Sequence, residues 1–223
     1  MLRLLAIKLT LILIMNFPML AKPIELLNDE IVKEELKYDQ METLLAHIGD
    51  KKIQVANVEL VKYKLPADLY PGIDHSSFQP YMDYRAVKNK KCNSYKLLNG
   101  NKAYCDENGF RRIKVTDDDF HLDMDDYAVA LGNYYKEKGS VGDRFVVVTS
   151  TGMYTMRVGD EKADHHTEKN NMFTIHGGKA AVIEWIVDTK KIDKEIRRRG
   201  TVTVCDIEAL QGKLIHIYKI IES

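Results

Sequence analysis

Residues 126–188 constrain the fold more than any other part of the chain. They hold four short runs with strand periodicity, DYAVALGNYY, VGDRFVVVTS, MYTMRVGDEKADHHTE and AAVIEWIVD, punctuated by glycines and carboxylates. Side chains of a strand alternate between faces, so Tyr154, Met156, Val158 and Asp160 are expected on one face of the third run, with Asp160 ending an apolar row. The same count on the fourth run sets Glu184 between Val182 and Ile186, and gives Ala181, Ile183, Trp185 and Val187 the opposite face. A carboxylate among apolar neighbours on its own face either finds a partner or has its pKa raised by burial, which makes it a candidate proton donor. Trp185, opposite Glu184, is expected in the core.

A length of 223 residues allows one domain with an appendage or two small domains, and 45% hydrophobic residues suffice for a packed core. The formal net charge is zero, which gives no global reason to expect nucleic-acid binding. The basic run at 190–199 is broken by Ile192, Asp193, Glu195 and Ile196, as in a solvated surface segment. At the N-terminus, Arg3 and Lys8 precede an apolar run at 9–20, and Ala21 offers a small residue for cleavage. Residues 1–21 are therefore expected to be an export signal, or an anchor if uncleaved, although the run is shorter than the roughly 20 residues that span a bilayer. An exported chain suits a disulfide. Cys92 and Cys105 flank NSYKLLNGNKAY, which reads as a turn, and a hairpin-closing bridge there is worth roughly 3 kcal/mol. Cys205 would remain unpaired; no CxxC pair or HExxH motif accompanies these residues, so no metal is expected.

Asn28 is placed to cap a helix over 28–49, with Asp29 and Glu30 in its first turn and a stripe from Ile31 to Ile48 ending at Gly49. IQVANVELVKYKLP then predicts one or two strands ending at Pro66, followed by an ordered aromatic loop with three of the five prolines. Asp74 and His75 in that loop are best explained by a turn hydrogen bond. The acidic cluster Asp117, Asp118, Asp119, Asp123, Asp125 and Asp126 lacks the Gly and Glu of a calcium loop and reads as a solvated turn. KKIDKEIRRRG predicts a short helix closed by Gly200, TVTVCDIEAL a strand and perhaps a helical turn, and GKLIHIYKII a last strand with His216 at its wall. There is no internal repeat, low-complexity tract or Gly-rich phosphate loop.

In order and spacing, YAVALGNYY, VGDRFVVV, MYTMRVGDEKADHH and VIEWIVD resemble the small double-psi β-barrels of bacterial cell-wall proteins, the rare lipoprotein A-like domains and the three-aspartate domains of lytic transglycosylases. The resemblance covers about residues 126–190. It implies a mainly β fold, a six-stranded double-psi β-barrel with an N-terminal helix and a β-rich extension. The expected organisation is residues 1–21 as signal or anchor, 22–65 as a helix-plus-strand region, and 66–223 as a β-rich domain. Gly142 and Asp143 match the turn before the second strand, and Asp160 matches the loop carboxylate of those families. Glu184 stands where they usually have Asp, whereas Ala130 and Leu131 occupy the place of the third aspartate. The Gly-Gly or Arg-Gly after the loop aspartate is replaced by Glu161, Lys162, Ala163 and Asp164.

The resemblance implies an exported, envelope-located protein acting on peptidoglycan or another cell-wall glycan. No cofactor or nucleic-acid partner is expected, and contact with a membrane only through residues 1–21. Asp160 would be the general acid/base of a lytic transglycosylase, Glu184 the neighbour that keeps its pKa raised, and Asp164, His165 and His166 the substrate-orienting groups. The alternative is a non-catalytic wall-binding or interaction module on the same barrel.

Overall fold

Short β-branched and aromatic runs bounded by Gly and Asp pair rather than coil, and here they build one nine-stranded sheet. The computed structural model describes residues 58–116, 122, 124–135, 141–162 and 171–222. All belong to a unit running from Asp39 to Ser223. The expected signal or anchor at 1–21, the helix over 28–49, Asp117, Asp118, Asp119 and Asp123, and the loop residues Asp164, His165 and His166 lie outside the described residues.

The strands are β1 (Val58–Tyr63), β2 (Tyr81–Asp83), β3 (Ala103–Cys105), β4 (Arg111–Ile113), β5 (Asp126–Leu131), β6 (Arg144–Thr149), β7 (Gly152–Glu161), β8 (Thr174–His176), β9 (Lys179–Ala181), β10 (Glu184–Val187) and β11 (Leu214–Glu222). The main sheet runs β1-β11-β6-β7-β5-β10-β2, with β4 alongside β5 and β3 alongside β4; β8 and β9 form a separate hairpin. Two pairings are parallel, β5 with β7 and β10 with β2. The four predicted core runs become β5, β6, β7 and β10, with Ala181 belonging to β9. β1, at the end of the predicted 22–65 region, pairs along its length with β11 and so belongs to the same sheet.

Every residue of β5 and β6 is buried, as expected for runs apolar on both faces. One face packs Val129, Phe145, Val147, Tyr154, Met156 and Val158 around Trp185. Trp185 is fully buried, within 5.6 Å of the ring centroids of Phe110, Tyr127 and Tyr154, and donates its indole N–H to Gln79 at 2.7 Å. The other face carries two smaller clusters, Val146, Val148, Met153 and Tyr218 in one, Leu98, Ile113, Ala128 and Ile186 in the other.

Among the described residues four short helices edge the sheet: α1 (Pro66–Leu69), α2 (Asn93–Leu98), α3 (Lys194–Arg199) and α4 (Glu208–Gln211). α3 is as predicted, with Asp193 accepting from the Glu195 N–H at 2.6 Å and Gly200 closing it at φ 70°. Two elements differ from expectation. TVTVC is not a strand but a tight turn at Val202–Val204, because Thr201 caps it by accepting from the Thr203 N–H. The segment after Cys92 is α2 rather than the first half of a hairpin. Cys92 Sγ accepts from the Tyr95 N–H at 3.3 Å, while Cys105 lies in β3 and accepts from Arg111 at 3.4 Å. Both thiols are free, so the proposed Cys92–Cys105 bridge is absent and its turn is a capped helix.

Candidate functional site

β7 does not keep its alternation to the end. Val129 pairs with Val158 and Ala130 with Asp160, so Gly159 is an extra residue, a β-bulge. A bulge resets which face the following side chain uses. Tyr154, Met156 and Val158 stay in the Trp185 core, but Asp160 moves to the face of Ala128 and Ala130, which corrects the expected shared row. The rule for Glu184 fails at one neighbour only. β10 starts at Glu184, so Val182 lies outside the strand phase and packs in the Trp185 core, while Ile186 packs on the other face with Leu98.

The outcome brings the two acids together. Glu184 is directly opposite Ala130, and Ala130 is directly opposite Asp160, on three adjacent strands. Residues opposite each other share a face, so the half-buried Asp160 and Glu184 flank Ala130 on one side of the sheet, their Cα atoms about 10 Å apart at two strand spacings. Ala130 stands between them.

α2 supplies the polar partner of Asp160. The Ser94 hydroxyl donates to Asp160 Oδ1 at 2.9 Å, and the Glu161 N–H donates to the same oxygen at 2.9 Å. Ser94 and Leu98 are four apart and lie on one helix face. Leu98 fits because residue 159 is glycine: a Cβ there would stand 2.8 Å from Leu98 Cδ2 and 2.9 Å from Ile186 Cδ1. Gly159 thus both makes the bulge and admits the helix that carries Ser94. A glycine between Val158 and Asp160 was the available signal for this arrangement.

Lys162 is the residue that sequence reasoning passed over. It is only 5% exposed, and its Nζ donates to the Ala181 carbonyl at 2.9 Å and to Thr174 Oγ1 at 3.3 Å, at the root of the β8–β9 hairpin. Burial pushes its amine down to about 8, opposed by the nearby Glu184 carboxylate. It is therefore still mostly charged at pH 7. Among the described residues no hydrogen-bond donor reaches the Glu184 carboxylate, whose charged neighbour is Lys162.

The described members of the acidic cluster are structural rather than solvated. Asp126 is fully buried and takes Arg144 Nε at 2.8 Å, a second Arg144 nitrogen at 3.1 Å and Arg157 Nε at 2.8 Å. Asp125 accepts from the Tyr104 hydroxyl at 2.6 Å and the Val115 N–H at 3.0 Å. Among the described residues no three His, Cys, Asp or Glu side chains gather closely enough to hold a metal ion.

Asp74 makes the expected turn bonds, accepting from the Ser76 N–H at 3.0 Å and its hydroxyl at 2.9 Å. His75 instead turns inward: it is 7% exposed, and neither ring nitrogen has a hydrogen bond of good geometry, although the backbone of Ile73 and Leu214 is close. Burial holds its pKa below the ordinary 6.5, against the opposing pull of the Asp74 and Asp68 carboxylates. The folded state therefore binds this proton less readily than the unfolded chain. Stability contributed by neutral His75 is present above pH 6.5 and is lost as pH falls through 6.5 toward the folded value. Urea unfolding between pH 7.5 and pH 5 should show the wild type losing stability on acidification by up to about 1.4 kcal/mol per pH unit from this group. His75→Phe should flatten that part of the profile; an unchanged profile would reject the assignment.

Among the described residues, cavities open elsewhere on the surface. One of about 380 Å³ lies between α3 and the 204–207 segment, over Cys205. The other, of about 280 Å³, lies between the 72–77 loop and the β8–β9 hairpin. Neither is lined by Asp160 or Glu184. No family model, no curated protein and no solved structure matches the chain.

Proposed function

We propose that the chain is an exported cell-wall protein built on a six-stranded double-psi β-barrel, and that it cleaves peptidoglycan glycan strands by lytic transglycosylase chemistry. The observation that carries this reading is the pair Asp160 and Glu184 flanking Ala130 on one face of three adjacent strands. A glycosidic bond needs a carboxylic acid to protonate its leaving oxygen and a second carboxylate to face the positive charge at the sugar carbon. Two acids about 10 Å apart at their Cα atoms leave room for the bond between them.

Asp160 is the general acid/base and Glu184 the charge stabiliser. Protonated Asp160 gives its proton to the leaving oxygen as the C–O bond breaks. A hydroxyl of the same sugar then attacks the carbon, and its proton returns to the Asp160 carboxylate, leaving an anhydro-sugar end. Ser94 holds one Asp160 oxygen and so fixes the orientation of the other. Glu184 lies beside the Lys162 amine.

Ala130 favours a second reading, a wall-binding or interaction module without catalysis, because the place of the third aspartate between the two acids is filled by a methyl group. Incubating the full-length chain with purified peptidoglycan separates the two. Anhydro-muropeptides in the soluble fraction are the expected result; retention on the wall with no release would sink the enzyme and leave the module.

A further inference from the structure

We propose that the cleft between the 72–77 loop and the β8–β9 hairpin binds a short zwitterionic peptide, the peptide portion of the wall polymer rather than its glycan. The choice of that polymer rests on the cell-wall reading above; the preference for a peptide rests on the cleft. Asp74 stands on one wall and Lys179 on the other. They make no salt bridge with each other, and among the described residues Lys179 has no ion pair, its ammonium lying 6.0 Å from the Phe78 ring. Asp74 is held ionised, at about 2, by the Ser76 N–H and the Ser77 hydroxyl. An unneutralised carboxylate and an unneutralised ammonium facing one cavity fit a ligand that presents an amine and a carboxylate. A neutral sugar presents neither.

The remaining lining suits a peptide as well. Ile175 is 48% exposed, the most exposed large apolar side chain among the described residues, and it lines the cleft. It offers a surface for a methyl or methylene group. Gly72 and Gly178, at φ 91° and 81°, have nothing within 4 Å of where a Cβ would stand, so the backbone of both walls is uncovered. At about 280 Å³, below the roughly 300–1,000 Å³ typical of small-molecule sites, the cleft encloses part of a short peptide and leaves the remainder in solvent.

Its position links it to the carboxylate pair. The hairpin root, Thr174 and Ala181, is pinned by Lys162, the residue beside Glu184. The hairpin tip carries Lys179 into the cleft. Three strand residues span about 10 Å, so a glycan bond at Asp160 and Glu184 would have its attached peptide within reach of the cleft. The peptides on such glycans carry both an amine and a carboxylate.

The test is an amide NMR titration of the ¹⁵N-labelled full-length chain with the tetrapeptide L-Ala-D-Glu-L-Lys-D-Ala. Parallel titrations use the same peptide acetylated and amidated to remove its charges, and the peptide-free disaccharide. The free tetrapeptide should shift amides of residues 72–78 and 175–180 at millimolar concentration. The charge-blocked peptide should bind at least about tenfold more weakly, the effect of losing one charge-assisted hydrogen bond. Asp74→Asn and Lys179→Met should each weaken the free peptide by a similar factor, with their spectra showing the fold intact. No shift in those segments, or equal binding of the free and blocked peptides, overturns the cleft. Peptide binding without muropeptide release would reject the enzyme and keep the cleft, and release without a peptide response would do the reverse.

Discussion

Asp126→Ala should lower the unfolding free energy by about 3–5 kcal/mol, the cost of removing one member of a buried ion-pair cluster. Asp126 has no exposed surface and receives three guanidinium hydrogen bonds, from Arg144 and Arg157. Those two arginines are directly opposite each other on β6 and β7, so without the carboxylate two like charges face across one strand pair. Arg144 is itself buried and has little water to turn to. A surface ion pair would be worth no more than about 1 kcal/mol, and this burial is what separates the two cases. Urea unfolding of wild type, Asp126→Ala, Arg144→Ala and the double variant should show strong coupling, the double variant losing much less than the sum of the singles. A loss below about 1 kcal/mol for Asp126→Ala, or additivity of the two singles, would refute the account.

Asp126 also shows where sequence reading ends. TDDDFHLDMDD announces itself as a solvated turn because its neighbours are acidic, while the arginines that justify its last member are 18 and 31 residues away. Pairing at that separation leaves no local signal. The four strand runs were legible because their apolar content and their bounding glycines are local, and α3 because Asp193 and Gly200 mark its two ends. α2 was not: Asn99-Gly100 suggests a turn dipeptide, yet the helix ends at Leu98 and is held by Leu98 reaching the notch at Gly159. The choice of Asp160 and Glu184 came from counting alternate residues, and the count for Asp160 was wrong by one face. A single bulge reversed it, and the same bulge put both acids on one side of Ala130. Lys162 was overlooked because a lysine beside a polar loop reads as solvated, and only the fold sets the Ala181 carbonyl over its amine.

That geometry makes Asp160→Asn the most informative change at the site. Asparagine keeps the shape of aspartate, and its carbonyl oxygen can still accept from the Ser94 hydroxyl and the Glu161 N–H. The unfolding free energy from urea titration should therefore change by less than about 1 kcal/mol, the scale of one neutral hydrogen bond. An amide can neither give a proton to a leaving oxygen nor take one from an attacking hydroxyl. Release of anhydro-muropeptides should accordingly fall by about 10²–10⁴-fold, the contribution of a positioned acid/base. Ser94→Ala leaves Asp160 chemically competent and should cost less than Asp160→Asn, because it loosens one oxygen without removing the proton. On the proposed reading Glu184→Gln removes the carboxylate assigned to the sugar carbon and should also slow release, with wall binding retained. If Asp160→Asn releases muropeptides at the wild-type rate, the acid/base assignment fails. If it loses release only together with its folded signal, Asp160 is a structural partner of α2, and the bulge at Gly159 serves packing rather than chemistry.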